Sequence, residues 1–308
     1  MKTAYISHHD CELHDMGTDH PESPARLRVI REYLMERQIW DFLTHVDAPK
    51  VDKKHLYRVH SRDYVDAIFA QFPVKAEKVL GEDMVANQHT LDAAMRSAGA
   101  VCKAVDMLMA GEADNAFCAV RPPGHHSEKN RAMGFCVFSN VAVGAAYAIH
   151  QYDLTRVAIV DFDVHHGNGT ENILQYDERV MFCSSFQHPY YPHTVPDNSR
   201  SNIIHTPLHA GTSSEEFRDW VLQNWMNKLQ HFQPQLVLVS AGFDAHHLDP
   251  LADIHLDERD YHWLGKELMD LANQCCGGKL VSVLEGGYDL NALSRSVYQY
   301  IRALAKID

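Results

Sequence analysis

The sequence predicts an α/β fold in which a parallel β-sheet is covered by helices on both faces. Short β-rich runs alternate with helical patterns along the chain, which is typical of parallel sheets with crossover helices. Runs such as VAIV and LVLVS are apolar without alternation, as expected for strands that are buried on both faces. No repeat, low-complexity tract or Pro/Gly/Ser-rich linker divides the sequence, so we expect a single domain over residues 1–308.

Six strands are predicted from short runs that are rich in apolar and β-branched residues. They cover residues 3–7, 116–120, 156–160, 179–184, 235–240 and 279–284.

Two long helices are predicted from apolar residues at helical spacing. Residues 91–109 carry one continuous apolar stripe, which ends near Gly111. Residues 290–304 repeat the pattern, and Asp289 stands at the position of an N-cap.

Two further helix starts are indicated by residues that cap helices. Ser23 and Pro24 have the pattern of an N-cap and a first-turn proline before an apolar helical stretch. Ser213 and Glu216 have the spacing of a capping box.

Composition excludes several classes of protein. The 308 residues include 28 Lys+Arg and 41 Asp+Glu, a net charge of −13, which argues against nucleic-acid binding because phosphate contacts need clustered Lys and Arg. No run approaches the ~18 apolar residues of a membrane span, and the first residues lack the apolar core of a signal peptide. We therefore expect a cytoplasmic protein that binds no membrane. The oligomeric state is left open.

The cysteine and histidine contents support different conclusions about the chemistry of the chain. The seven cysteines include no CxxC pair, which indicates reduced, mostly buried thiols rather than a disulfide framework. The 22 histidines are unusually many and several form doublets. Such doublets indicate metal chemistry.

Four polar, glycine-bearing segments follow four of the predicted strands. They read RPPGHH, DFDVHHGNGT, AGFDAHH and EGGYDL. In open parallel sheets the ligand crevice lies outside the carboxyl ends of the strands. We therefore expect the four segments to meet at one site.

The second and third of these segments contain candidate metal ligands. Asp163 and His165 are two residues apart, so on an extended chain their side chains point the same way. Asp244 follows another strand and offers a third ligand. Three protein ligands leave an open position, the pattern of a catalytic zinc site. Two carboxylates and one imidazole also suit Fe²⁺ or Co²⁺.

The remaining segments offer groups that move protons and stabilise charge. His125 and His126 titrate near neutrality and are suited to acid–base work if the preceding PPG turn twists the chain. Asp161 can hydrogen-bond one imidazole and fix its tautomer. Tyr288 follows two glycines and can donate a hydrogen bond to a developing oxyanion.

These motifs, together with GFCVFSN, SAGFDAHHLDPL, HPESPARL and VHSRDYVD, resemble the histone deacetylase family, in particular its class II branch and bacterial relatives. The resemblance spans essentially the whole chain. It implies the three-layer arginase–deacetylase fold with a central eight-stranded parallel sheet, and zinc-dependent hydrolysis of an amide.

The resemblance also implies catalytic roles for individual residues. His125 and His126 would be the proton-handling pair, supported by Asp161 and Asn168 respectively, and Tyr288 would polarise the acetyl carbonyl. The zinc ligands would be Asp163, His165 and Asp244.

Substrate-binding roles follow from the same resemblance. Phe135 and Tyr191 would form the walls of a narrow tunnel, Gly134 would accept the substrate amide hydrogen bond through its backbone, and Asp83 would hold the substrate backbone at the rim. A structural potassium ion would lie near Asp161, Asp163, His165, Ser184 and Ser185.

The segment 186–204 departs from the family pattern. His193 stands where a glycine normally follows the tyrosine–proline pair, and Tyr191 replaces the more common phenylalanine. Both departures bear on recognition at the rim rather than on the chemistry.

The sequence favours a zinc-dependent deacetylase of Nε-acetyl-lysine in protein or peptide, and three alternatives stay open. The nearest is hydrolysis of an acetylated polyamine, although Leu251, which we also expect to bind substrate, stands where enzymes with that specificity carry an acidic residue. Arginase-like binuclear chemistry would need carboxylates at positions held by Gly167 and His246. A catalytically inactive acyl-lysine reader is disfavoured by the intact set of ligands, proton carriers and tyrosine.

Overall fold

A computed structural model describes residues 1–307 and contains an eight-stranded parallel sheet. The sheet order is β2-β1-β5-β10-β9-β6-β7-β8, and β3 and β4 form a separate antiparallel hairpin. The strands are β1 (Thr3–Ser7), β2 (Thr44–Asp47), β3 (Lys78–Gly81), β4 (Met84–Ala86), β5 (Asn115–Cys118), β6 (Val157–Asp161), β7 (Val180–Gln187), β8 (Ile203–Leu208), β9 (Leu236–Ala241) and β10 (Leu280–Leu284).

All six strands predicted from the residues are present, as β1, β5, β6, β7, β9 and β10. The strand predicted at 116–120 ends earlier, at Cys118, and the one predicted at 179–184 continues to Gln187. Sequence patterns missed the edge strands β2 and β8 and the β3–β4 hairpin. The resemblance correctly implied eight strands.

Eleven α-helices lie in the described part of the chain. They are α1 (Asp10–Leu13), α2 (Ala25–Glu36), α3 (Lys53–Leu56), α4 (Arg62–Ala70), α5 (Thr90–Met109), α6 (Asn140–Gln151), α7 (Asn168–Leu174), α8 (Ser214–Val221), α9 (Asn227–Phe232), α10 (Glu258–Cys276) and α11 (Leu290–Ala305). Helices α5 and α6 pack together, α10 and α2 both pack on α11, and the sheet lies among them.

Three of the four predicted helix boundaries are confirmed. The stripe at 91–109 lies on α5, and Gly111 follows it at φ +69°. Asp289 caps α11 by accepting from the Ala292 amide, and Ser213 forms a capping box with Glu216. The predicted N-cap at Ser23 is wrong: α2 begins at Ala25, and no side chain caps it.

The sheet order places the four motif-bearing strands side by side. Strands β5, β10, β9 and β6 are consecutive in the centre of the sheet, and all four are parallel. Their carboxyl ends therefore form one continuous edge, from which the four polar segments leave.

All seven cysteines are free, and six of them are buried. Within residues 1–307, no helix has both the length and the apolar character needed to cross a bilayer.

Candidate active site

The predicted metal ligands lie together at the centre of this edge. His165 Nδ1 is 3.1 Å from Asp163 Oδ1 and 3.2 Å from Asp244 Oδ2. All three residues are buried. The separations match the edge of a tetrahedron with ~2.0 Å metal–ligand bonds, which is ~3.3 Å. The three side chains therefore have the donor types, the burial and the spacing to hold a divalent cation.

Backbone groups fix the two carboxylates in this arrangement. The Gly286 amide donates to Asp163 Oδ2 at 2.8 Å, and the Val164 amide donates to Asp244 Oδ1 at 2.9 Å. A Cβ atom on Gly286 would lie 2.1 Å from Asp244 Oδ2. Position 286 therefore requires glycine, because any side chain there would displace a carboxylate.

A second cluster also consists of ligand-type side chains, but its hydrogen bonds differ from those of the first. His166 Nε2 and His205 Nε2 lie 2.7 and 2.6 Å from Glu171 Oε2. The Asp197 amide donates to His205 Nδ1 at 2.7 Å. Because a backbone amide can only donate, the neutral His205 ring carries its proton on Nε2, where it points at Glu171. We therefore interpret this cluster as hydrogen bonded rather than metal binding.

The histidine pair lies next to the three candidate ligands, and its two rings have different partners. His125 Nδ1 is 3.0 Å from Asp161 Oδ2, whereas His126 Nδ1 is 2.8 Å from Asn168 Oδ1. The ring centroids are 4.0 Å apart. The PPG turn therefore brings neighbouring side chains to one site.

Burial and neighbouring charges push the two histidine pKa values apart. Burial disfavours the charged form of His125, but Asp163 and Asp161 outweigh it and hold the pKa of His125 well above its ordinary value. Burial and then the proximity of His125 and His165 hold the pKa of His126 well below its ordinary value. In the metal-free protein, His126 is thus the neutral member of the pair, the form that a general base requires.

Glu285 supports this pair and was missed in the sequence. Its Oε2 accepts from the Gly124 amide at 2.7 Å and the His125 amide at 3.2 Å, and its Oε1 accepts from the Ser240 hydroxyl at 3.0 Å. Burial raises the pKa of Glu285 to about 7. Its position at the start of EGGYDL is the only sequence signal for this role.

Tyr288 is oriented by contacts on its backbone and its ring. Its amide donates to Asp249 Oδ2 at 2.6 Å, the Arg26 guanidinium lies 5.1 Å from its ring centroid, and Phe135 packs edge-on at 6.0 Å. Burial raises the pKa of Tyr288 well above its ordinary value. The phenol therefore stays protonated and able to donate. Asp249 and Arg26 were not singled out from the sequence.

A cavity of about 290 Å³ leads to these groups. Its lining comprises Asp83, His126, Gly134, Phe135, His165, Tyr190, Tyr191, His193, Leu251 and Tyr288. All five residues expected to bind substrate are among them. Tyr190, whose ring stacks on His165 at 5.9 Å, was missed in the sequence, where only the next residue was considered.

The β3–β4 hairpin shapes one wall of the cavity. Gly134 and Phe135 have φ values of +54° and +65°, and their amides donate to the carbonyls of Glu82 and Asp83, both at 3.1 Å. A Cβ atom at position 134 would lie 2.4 Å from the His126 ring. The glycine is therefore needed for close approach to the histidine pair.

The arrangement is typical of a metal-dependent hydrolase: a three-ligand site with acid–base groups beside it, at the end of a narrow cavity. Comparisons with known proteins agree with this class. The family model described as "Histone deacetylase domain" matches residues 20–304. The chain belongs to the histone deacetylase family.

Individual relatives support the same assignment. "Type-2 histone deacetylase 2" of Dictyostelium discoideum is 33% identical over 99% of this chain, which spans only 21% of that protein. "Histone deacetylase-like amidohydrolase" of Pseudomonas aeruginosa is 34% identical over 87% of this chain and 72% of its own length. The crystal structure of the HDA15 HD domain aligns with a TM-score of 0.92 and 31% identity, covering 99% of this chain and 88% of that one. Together they support a hydrolytic enzyme of the deacetylase or amidohydrolase type.

Proposed function

We propose that the protein is a zinc-dependent deacetylase that hydrolyses the amide of Nε-acetyl-lysine in a protein or peptide to lysine and acetate. The observation that carries the proposal is the position of three ligand-type side chains, the histidine pair and Tyr288 around one narrow cavity. The cavity wall is mainly aromatic and aliphatic, which suits the neutral side chain of acetyl-lysine.

Asp163, His165 and Asp244 would hold the zinc ion. When bound, the ion supplies Lewis acidity for the acetyl carbonyl and lowers the pKa of water. His126 takes the proton of the attacking water, and His125, whose Nδ1 contacts Asp161, is suited to protonate the departing amine. Tyr288 donates to the carbonyl oxygen as negative charge develops on it.

The substrate chain is held by the cavity wall. Phe135 and Tyr191 would contact the methylenes of the lysine side chain, and the Gly134 carbonyl would accept the N–H of the scissile amide. Asp83, at the mouth, would accept from the substrate backbone. The structural potassium ion implied by the resemblance remains part of the proposal, although Ser184 Oγ already lies 3.0 Å from His166 Nδ1.

The test is acetate release from an acetyl-lysine peptide and from acetylputrescine by the purified protein. We expect turnover of the peptide, loss of turnover with a chelator, and recovery with added zinc. The variant Asp244→Asn should lose activity and zinc together. Absence of acetate from both substrates, or turnover that resists complete metal removal, would contradict the proposal.

The acetylpolyamine alternative is a proposal about the same cavity. Leu251, a neutral side chain, lines that cavity and offers a polyamine ammonium no charge, which leaves Asp83 as the one carboxylate on the lining. We therefore expect the peptide to be the better substrate. Faster turnover of acetylputrescine would reverse the order of the two proposals.

A further inference from the structure

His193 occupies an uncommon backbone conformation at the mouth of the cavity. Its φ is +65°, in the left-handed region that glycine enters freely and other residues seldom do. Its amide donates to the Tyr190 carbonyl at 2.8 Å, which closes a tight turn. A turn of this shape would be less strained with glycine, so a side chain at this position is consistent with a functional role.

The imidazole of His193 does not serve the fold through hydrogen bonding. Within residues 1–307 its ring makes no hydrogen bond or ion pair, and the residue is exposed. Its nearest aromatic neighbour is Tyr191, with ring centroids 6.3 Å apart. The donor capacity of the ring is therefore free for a ligand.

Asp83 offers a free carboxylate on this lining, and like His193 it is exposed. It comes from the β3–β4 hairpin, whereas His193 comes from the β7–β8 loop. Its carboxylate makes no hydrogen bond within the described chain, and only its backbone carbonyl is engaged. Among its exposed side chains the cavity thus offers one free carboxylate and one imidazole that can donate, whereas the unpaired Tyr191 hydroxyl is buried.

These two groups match the two sides of an amino-acid backbone. The Cα of an acylated lysine carries an N–H, which needs an acceptor, and a carbonyl, which needs a donor. An acylated polyamine carries nitrogen donors only and has nothing to offer a second donor. A hydrogen bond that only the amino-acid substrate can make changes its affinity about three- to tenfold.

We propose that His193 is a specificity-determining residue that donates a hydrogen bond to the backbone carbonyl of the acylated lysine, while Asp83 accepts its backbone N–H. The inference rests on the proposed function, because it concerns the substrate of the same site. The contact of His193 with the backbone carbonyl selects amino-acid-derived acylamines over simple acylated diamines.

Two matched probes test this contact. Nα-acetyl-Nε-acetyl-lysine methylamide and N,N′-diacetyl-1,5-diaminopentane have the same acylated chain and the same second N–H, but only the first has the backbone carbonyl. We expect the wild type to prefer the lysine derivative after correction for the two equivalent ends of the diamine. In His193→Gly, kcat/KM for the lysine derivative should fall about three- to tenfold, the range of one hydrogen bond, with the diamine unchanged.

The variant His193→Asn is the matched control. Asparagine tolerates the left-handed conformation and keeps an N–H donor, so it should retain most of the preference. The inference is overturned if His193→Gly keeps the wild-type ratio, or if it lowers kcat/KM for both probes alike.

A binding measurement distinguishes failure of this inference from failure of the proposed function. If the wild type hydrolyses neither probe, the deacetylase assignment fails. The role of His193 is then tested by calorimetry with two hydroxamates, one with the outer end of the lysine derivative and one with the outer end of the diamine. A wild-type preference for the lysine-like hydroxamate that His193→Gly removes would uphold the role of His193. Equal dissociation constants would refute it.

Discussion

Tyr288 and Tyr191 line the same cavity, but their hydroxyl groups have different surroundings. Tyr191 packs against His126 and His165, and its hydroxyl is buried without a hydrogen-bond partner in the described chain. Tyr288 is held in place by its backbone and by Arg26. Under the proposed function, the Tyr288 phenol donates to the substrate, whereas Tyr191 contributes its ring to the cavity wall.

The two phenylalanine variants should therefore differ. Tyr288→Phe removes the donor to the developing oxyanion and should lower kcat by about 10²–10³ with a small change in KM. Tyr191→Phe removes an unpaired hydroxyl and should keep kcat within about twofold. Steady-state kinetics on an acetyl-lysine peptide makes the comparison. Equal losses in both variants would show that the Tyr288 hydroxyl has no special role.

Much of the candidate site was predictable at the residue scale. The spacing of Asp163 and His165, and the polar segments after the strands, give the candidate ligands and the histidine pair. The supporting contacts were not predictable, because Glu285, Asp249 and Arg26 act on backbone groups or rings that are distant in sequence. Such contacts leave no local pattern.

His60 makes stability depend on pH independently of the active site. Its Nδ1 donates to the Glu128 carbonyl at 2.9 Å, and its Nε2 accepts from the Ser139 amide at 3.0 Å. The ring must be neutral to accept from an amide. Burial lowers the pKa of His60 to about 4.

Unfolded His60 titrates near 6.5, so between pH 6.5 and 4 the unfolded chain binds a proton that the folded chain does not. The free energy of unfolding should therefore fall by roughly 3 kcal/mol as the pH falls through this window. In His60→Asn this contribution is absent. The amount by which the variant's free energy of unfolding lies below that of the wild type should therefore shrink from pH 7 to pH 4.5. Urea unfolding measures it, with the exposed His255→Asn as control. A constant deficit would contradict the assignment.

At the scale of elements, the burial of a strand determined whether it could be predicted from the sequence. The central strands are buried on both faces and have continuous apolar runs. Edge strand β2 alternates between half-buried and exposed positions, and β8 contains the exposed Pro207, so neither has that pattern. Proline is tolerated at a sheet edge, where one side of the strand has no partner.

The β3–β4 hairpin holds one wall of the cavity, although its short strands were not predicted from the sequence. Gly81 packs so tightly against Ala132 that a Cβ atom at position 81 would lie 2.0 Å from the Ala132 carbonyl oxygen. This contact allows Glu82 and Asp83 to hold the backbone of Gly134 and Phe135.

Gly81→Ala should push the hairpin away from the cavity wall. Overpacking of this kind costs about 1–3 kcal/mol, so we expect KM for an acetyl-lysine peptide to rise about tenfold or more, with a smaller change in kcat. Val79→Ala is the control on the same hairpin, because Val79 is 70% exposed. Unchanged KM in Gly81→Ala would mean that the hairpin does not shape the site.

At the scale of the molecule, strand order determines where the chemistry lies. The four motifs are spread over residues 121–290, yet the order β5-β10-β9-β6 makes their strands neighbours. The residues alone indicated a shared edge but could not give this order, since it depends on which strands pair at long range. The resemblance to a known family supplied the eight-strand count.

The whole chain should bind one divalent ion, although two clusters have ligand-type side chains. In the cluster of Asp163, His165 and Asp244, buried carboxylates face one imidazole nitrogen and need a cation to balance their charge. In the other cluster, the hydrogen bonds from His166 and His205 offset the effect of burial and lower the pKa of Glu171 to about 2. Its carboxylate charge is therefore already satisfied by protons on the two rings.

Zinc titration followed by thermal unfolding and metal analysis separates the two clusters. A free zinc concentration of 100 times Kd should stabilise the wild type by about 2.7 kcal/mol, a shift of several degrees in Tm, with one ion per chain. Asp244→Asn should lose both the ion and the shift, whereas Glu171→Gln should keep both, even if its starting Tm is lower. Two ions in the wild type would mean that a metal displaces the proton on His205 and that both clusters bind an ion. Loss of a single ion in Glu171→Gln would mean that this ion lies in the second cluster, contrary to the assignment.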